Sequence, residues 1–283
     1  MQPTVGPVIK KIRNDKEYSQ KYVVEGIMTQ SAFSKFELNR TDITFSALAG
    51  ILDNLEVTFE ELIYIQNDYR LTEKETIFKK FISISYNNEE SIKELLWLAG
   101  SYLNGKTDRL IQDIESIAEA LLILIHTDDK SKLLSCVSKV WKRLSVKNQF
   151  YFSDLYLLNS IFYFFSLETM LEVKKMAFKS IERYGDFQAI QRLKINFSVN
   201  VSLMLLKGNY YAEALLEIET AIKLSKKHKA YLQLAVCYVR KGICLNGLGE
   251  DGHGWVEKGM HLLQVLEETE LLQMARAEVA SYD

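Results

Sequence analysis

The chain has 283 residues, 48% of them apolar and 25% charged, the proportions of an ordinary folded protein, which exclude a disordered or fibrous chain. Lys and Arg number 35 against 37 Asp and Glu, a net charge of −2, so the chain as a whole lacks the basic excess common in nucleic-acid binders. No apolar run approaches the roughly 18 residues needed to span a bilayer and none follows residues 1–6 to make a signal peptide, so a cytoplasmic protein that does not engage a membrane is expected.

Pro3 and Pro7 are the only prolines, so nothing beyond residue 7 interrupts a helix in that way. Apolar residues at i, i+3 and i+4 around 121–125, 150–165 and 199–206 point the same way, to an all-α chain with no strand. Three cysteines, an odd number, argue against a disulfide framework. Cys237 and Cys244 are seven apart, on one helical face, and read as core.

The first sixty-five residues read as five short helices. Val8, Ile9 and Ile12 form the apolar stripe of the first, ending near Asn14. Ser19 caps a second over 20–25, closed by Gly26. Thr29 caps a third from Gln30 to about Glu37, and at 100° per residue Ala32, Phe33 and Phe36 fall on one side of it while Gln30, Ser31, Ser34 and Lys35 fall on the other. Leu48, Ile51, Leu52 and Leu55 have core spacing on a fourth. Thr58 and Glu61 form a capping box at the start of a fifth, Phe59 to about Ile65.

The third helix offers Gln, Ser and Lys outward after a short turn, as a helix-turn-helix does; Gln can bond two atoms of adenine and Lys can reach guanine or phosphate. Charge is unevenly placed in a matching way. Residues 1–40 carry seven basic side chains against four acidic ones, whereas 41–66 carry five acidic groups (Asp42, Asp53, Glu56, Glu60, Glu61) and no basic one.

The string Ile9-Lys10-Lys11-Ile12-Arg13, through Tyr18-Ser19-Gln20, to Ser31-Ala32-Phe33-Ser34-Lys35-Phe36-Glu37 and Asp42-Ile43 resembles the N-terminal domain of the Rgg, or MutR, transcription regulators, within the phage-repressor-like helix-turn-helix class. The resemblance implies a salt bridge between Arg13 and Glu37, with Arg13 also close to a DNA phosphate. It places Ser19 and Gln20 against the DNA backbone and Gln30, Ser31, Ser34 and Lys35 in the groove. Where the family often has a glycine and a basic residue after the Phe-Glu pair, this chain has Leu38-Asn39-Arg40; Asn39 tolerates the positive φ such a turn needs.

Thr72 and Glu75 form a second capping box, which puts the boundary of a new domain between about 66 and 72. Turn signals then recur at Asn87-Asn88, Asn104-Gly105, Thr127-Asp128-Asp129, Tyr184-Gly185-Asp186, Lys207-Gly208-Asn209 and 247–254, the rhythm of a helical repeat array. Ala214, Ile218 and Ala221, after Asn209-Tyr210-Tyr211, have the spacing of the second helix of a tetratricopeptide repeat. Gly242 and Gly249 suit the first helix of another. Asn159 and Asn200 lie 41 apart, each inside an apolar helix. A buried amide there either bonds the backbone of an extended peptide or makes an internal bond, because leaving it unpaired costs about 1–3 kcal/mol.

Over the whole chain the sequence resembles Rgg and the peptide-responsive regulators grouped as RNPP. The resemblance implies an N-terminal helix-turn-helix domain at 1–66 and a tetratricopeptide-like domain at 67–283 that dimerises and holds a short signalling peptide, with Asn159 and Asn200 gripping the peptide backbone. Tyr163, one helical turn beyond Asn159, is a further candidate for peptide contact, against ordinary core packing. The expected partners are double-stranded DNA, the peptide and a second copy of the chain. No cofactor and no catalytic residue is expected: His126, His228, His253 and His261 lack metal-ligand spacing, and no phosphate-binding glycine loop or nucleophile motif occurs. Lys226-Lys227-His228-Lys229 reads as a solvated face. The alternatives are a tetratricopeptide-like protein-interaction scaffold, and a phage-type regulator with no peptide ligand.

Overall fold

The computed structural model describes residues 4–84, 88–127, 130–185 and 187–282, and among these every regular element is helical. Asn87, Asp128, Asp129 and Asp186 of the expected turns, and Pro3, lie outside the described residues. The chain divides into two compact units, Met1–Lys79 and Lys80–Asp283.

In the first unit, α1 (Val5–Asp15), α2 (Gln20–Val23), α3 (Gln30–Glu37), α4 (Phe45–Asn54) and α5 (Phe59–Gln66) surround one core built on Ile9, Val23, Phe33, Ile51, Leu52 and Leu55. Each start has a local cause. The hydroxyls of Ser19, Thr29, Thr44 and Thr58 accept from the backbone amides of Tyr22, Ala32, Ala47 and Glu61 at 3.1–3.3 Å, satisfying donors the helix leaves open. Pro7 sits in the first turn of α1, where an amide proton has no helical partner. Helix α2 stops at Val23, two residues short of the expected end. Asn39 has φ 57°, and the amides of Asn39 and Arg40 donate to the carbonyls of Phe36 and Lys35 at 2.8 and 2.9 Å, so asparagine closes α3 as a glycine would.

Helix α6 (Glu73–Ser83) follows, and its box is reciprocal: the Thr72 amide donates to Glu75 Oε2 at 2.9 Å and the Glu75 amide to Thr72 Oγ1 at 3.2 Å. The second unit continues with α7 (Glu89–Leu103), α8 (Arg109–His126), α9 (Lys130–Leu144), α10 (Phe152–Ile161), a 3-10 turn (Phe162–Phe164), α11 (Leu167–Glu182), α12 (Gln188–Lys207), α13 (Tyr211–Lys227), α14 (Tyr231–Gly247), α15 (His253–Val265) and α16 (Thr269–Ala280). Consecutive helices pack on one another from α7 to α10 and again from α11 to α16. In addition α8 packs on α10, α10 on α12, α12 on α14 and α14 on α16. One layer is thus continuously in contact with itself while the odd-numbered helices join through it, so the even-numbered helices form one unbroken wall.

The repeat spacing follows from packing. Ala214, Ile218 and Ala221 are fully buried on α13. A Cβ on Gly242 would lie 2.6 Å from the Gly252 carbonyl oxygen, and one on Gly259 2.7 Å from the Ala235 carbonyl oxygen, so α14 and α15 meet backbone to backbone. Gly254, on the same α15, has open space around it. Gly259→Ala is therefore expected to lower stability by about 1–3 kcal/mol through overpacking, whereas Gly254→Ala raises it by up to about 1 kcal/mol by stiffening the unfolded chain. Opposite shifts in the urea midpoint check this; equal shifts would remove the close approach as the reason for the glycines.

Candidate functional site

The polar face of α3 is held by a chain of side chains that begins in the core. Glu37, 2% exposed, receives Arg13 Nε at 2.6 Å on one carboxylate oxygen and Arg13 Nη2 at 3.1 Å on the other, the bidentate geometry that joins the first and third helices. Arg13 Nη1 donates to the Tyr18 carbonyl at 2.9 Å. Gln20, the first residue of α2, donates from Nε2 to Glu37 Oε2 at 2.6 Å. Its own Oε1 accepts from Gln30 Nε2 at 3.3 Å. Gln30, the first residue of α3, is thereby tied at one amide proton and keeps its carbonyl oxygen and second proton free, the pair an adenine edge requires.

Gln30, Ser31 and Lys35 are exposed and Ser34 half-buried, while Phe33 and Phe36 are buried on the opposite side. Ser19 is exposed and spends its oxygen on the Tyr22 amide, leaving its proton to donate. Among the described residues, Lys10, Lys21, Lys35 and Arg40 have no carboxylate within ion-pair distance, whereas Lys16 lies 3.5 Å from Glu56. The arrangement offers donors and positive charge around one outward helix, which is what phosphates and base edges in a major groove take. Arg13 is committed to Glu37 with its side chain 12% exposed, so it organises the face. The sequence indicated the Arg13–Glu37 pair, but not the two bonds that run on through Gln20 to Gln30.

The asparagines of the second unit meet each other. Asn200 Nδ2 on α12 donates to Asn159 Oδ1 on α10 at 3.4 Å, and both remain half-buried. The bond uses one proton of Asn200 and one lone pair of Asn159, so each amide keeps donor and acceptor capacity toward a passing backbone. Helix α10 ends at Ile161, so Tyr163 lies on the 3-10 turn and is not one α-helical turn beyond Asn159; its hydroxyl accepts from Lys207 Nζ at 2.7 Å.

Four groups of this wall were missed in the sequence. Gln233 Nε2 on α14 donates to Asn196 Oδ1 on α12 at 3.4 Å, extending the amide row by one helix. Arg240 donates to Glu278 Oε1 at 2.7 Å and to the Val199 carbonyl at 2.7 Å, tying α12, α14 and α16. Asn196 stands one turn before Asn200, a visible signal; the partner of Arg240 had none. Cys237 and Cys244 are buried and pushed up to about 12 by that burial, so both stay thiols and serve as core. Among the described residues no group of His, Cys, Asp and Glu could hold a metal ion, and no helix is long and apolar enough to cross a membrane.

No described protein family matches the chain, and no curated protein does. Solved structures do. A candidate transcriptional regulator from Listeria monocytogenes EGD-e superposes over 100% of this chain and 98% of its own, with TM-score 0.80 and 18% identity. Bacillus thuringiensis PlcR, solved in complex with the peptide PapR7 and DNA, matches 97% of this chain and 98% of its own at TM-score 0.74 and 18% identity. The SHP pheromone receptor Rgg2 of Streptococcus dysgalactiae covers 98% of this chain and 100% of its own at TM-score 0.71 and 17% identity. The chain shares the all-helical fold of these proteins along its whole length.

Proposed function

We propose that this chain is a cytoplasmic, non-enzymatic transcription regulator of the Rgg and RNPP kind, a homodimer whose residues 1–66 read double-stranded DNA and whose residues 67–283 bind a short signalling peptide. The observation that carries the first half is the fixed bond chain Arg13–Glu37–Gln20–Gln30 beneath an exposed Gln, Ser and Lys face. A merely solvated helix has no need of a buried carboxylate that sets the rotamer of its outermost glutamine. Ser19 and Gln20 approach the backbone, and Gln30, Ser31, Ser34 and Lys35 enter the groove. Asn159 and Asn200 hold the peptide on the even-numbered wall, with Tyr163 beside them.

Two copies are required by the energetics, because one short helix reads few base pairs and linked copies roughly add their free energies on a palindrome. The peptide then regulates by binding one arrangement of the dimer better than another, since only that difference shifts the population.

The test starts from duplexes selected by the protein from a random DNA pool. On the best of them, Gln30→Ala is expected to weaken binding by about 1–3 kcal/mol and to relax preference at one base pair. Wild-type affinity should fall steeply as salt rises. Unchanged affinity in the variant together with a flat salt dependence would instead favour the protein-interaction scaffold, which one observation supports: Phe45 stands 72% exposed, stacked on Phe59, in the acidic stretch 41–66.

A further inference from the structure

We infer that Tyr163 and Lys207 form a carboxylate anchor that fixes the direction and register of the peptide on the even-numbered wall; this rests on the peptide reading above. From α10 and the 3-10 turn that follows it, three side-chain bonds cross to α12 in the same order along both segments: Tyr156 with the Ala189 carbonyl, then Asn159 with Asn200, then Tyr163 with Lys207. Asn196, Asn200, Leu203 and Lys207 recur at i, i+4, i+7 and i+11, one stripe of α12. Helical side chains lean toward the N-terminus, so Lys207, the last residue of α12, leans back toward the 3-10 turn that carries Tyr163.

The chemistry of the pair is one-sided. The Tyr163 oxygen accepts from the Lys207 ammonium, so the hydroxyl proton points elsewhere and two ammonium protons remain. Three donors and one positive charge thus converge. Lys207 is exposed, and no carboxylate among the described residues lies within 4.0 Å of its Nζ. An amide row that treats donors and acceptors alike therefore ends in a point that only donates and carries positive charge, which an anion satisfies best. An extended peptide gripped at Asn159 and Asn200 reaches that point with its C-terminal carboxylate or with an acidic side chain. Seven residues of helix span about 10 Å, so the carboxylate belongs about three residues beyond the gripped one.

The experiment exposes the full chain to one pool of random octapeptides synthesised twice, with free C-terminal carboxylates and as C-terminal amides, and identifies retained peptides by mass spectrometry. The free acids are expected to be retained about tenfold over the amides, the factor one charge-assisted bond supplies. Lys207→Met is expected to erase that preference and Tyr163→Phe to reduce it, each with an unchanged unfolding midpoint. Retention of amides that carry Asp or Glu about three residues beyond a common centre, lost in Lys207→Met, supports the anchor with a side chain as its ligand. Equal retention of acids and amides irrespective of Asp and Glu, still dependent on Asn200, overturns the anchor and leaves the peptide groove standing. Retention of no peptide overturns both.

Discussion

Glu37→Ala is expected to destabilise the first unit by about 3–5 kcal/mol and, under the proposed function, to abolish selective DNA binding. Removing one partner of a buried ion pair costs this much because the other is left charged and dry. Arg13, its side chain 12% exposed, would keep only the Tyr18 carbonyl. Gln20 would lose its acceptor, and with it Gln30 its fixed neighbour, so the defect runs from the core to the outermost residue of α3. Glu37→Gln retains the shape without the charge and should fall between the variant and the wild type. The readout is built into the composition, because all three tryptophans, Trp97, Trp141 and Trp255, lie in the second unit. Circular dichroism should lose amplitude early in urea while tryptophan fluorescence keeps its midpoint. If the early loss is missing and the variant still prefers selected DNA over random duplex, Glu37 does not organise the face.

Features carried by neighbours in sequence were legible. Thr29, the apolar spacing of Phe33 and Phe36 and the asparagine after Leu38 specify α3 within a residue, and Gln30–Glu37 is what forms. Ala214, Ile218 and Ala221 likewise announce the close packing of α13. Turns closed by Glu or Lys were not legible. Lys229, expected on a solvated face, has φ 53° and helps close α13, because the Ala230 amide donates to the Ser225 carbonyl at 2.9 Å and offsets the strained backbone. Glu17, Glu56 and Glu267 take similar conformations, with nothing in their identity to mark them.

Side-chain partners far apart in sequence were legible only by type. That Asn159 and Asn200 repeat at 41 places them on equivalent helices, yet whether they face a ligand or each other depends on the tertiary register of α10 against α12. They do bond, and both keep capacity to spare. Tyr163 was misplaced for a local reason: the α-helix gives way to a 3-10 turn just before the Ser166 cap of α11, and the tighter winding rotates the ring relative to Asn159.

The same limit hid Arg240, for which Arg240→Met is expected to cost about 3 kcal/mol. This arginine is 7% exposed in the middle of α14. It is the one described side chain that bonds both the α16 carboxylate of Glu278 and the α12 backbone at Val199. Methionine fills the volume but orphans both acceptors, and a carboxylate left partly buried is the larger penalty. If the pair contributes only mutual satisfaction, Arg240→Met combined with Glu278→Leu should recover most of the loss, since two apolar groups of similar size replace a desolvated pair at little net cost. The tryptophan-detected urea midpoint of the two single variants and the double variant closes that cycle. Recovery with peptide retention unchanged makes Arg240 a fastener of the wall. Recovery of stability with retention still lost assigns the guanidinium a place in the groove beside the Asn196–Gln233 pair. A single-variant loss below about 0.5 kcal/mol, the range of an ordinary surface change, would mean that α16 does not depend on this bond to stay on the wall.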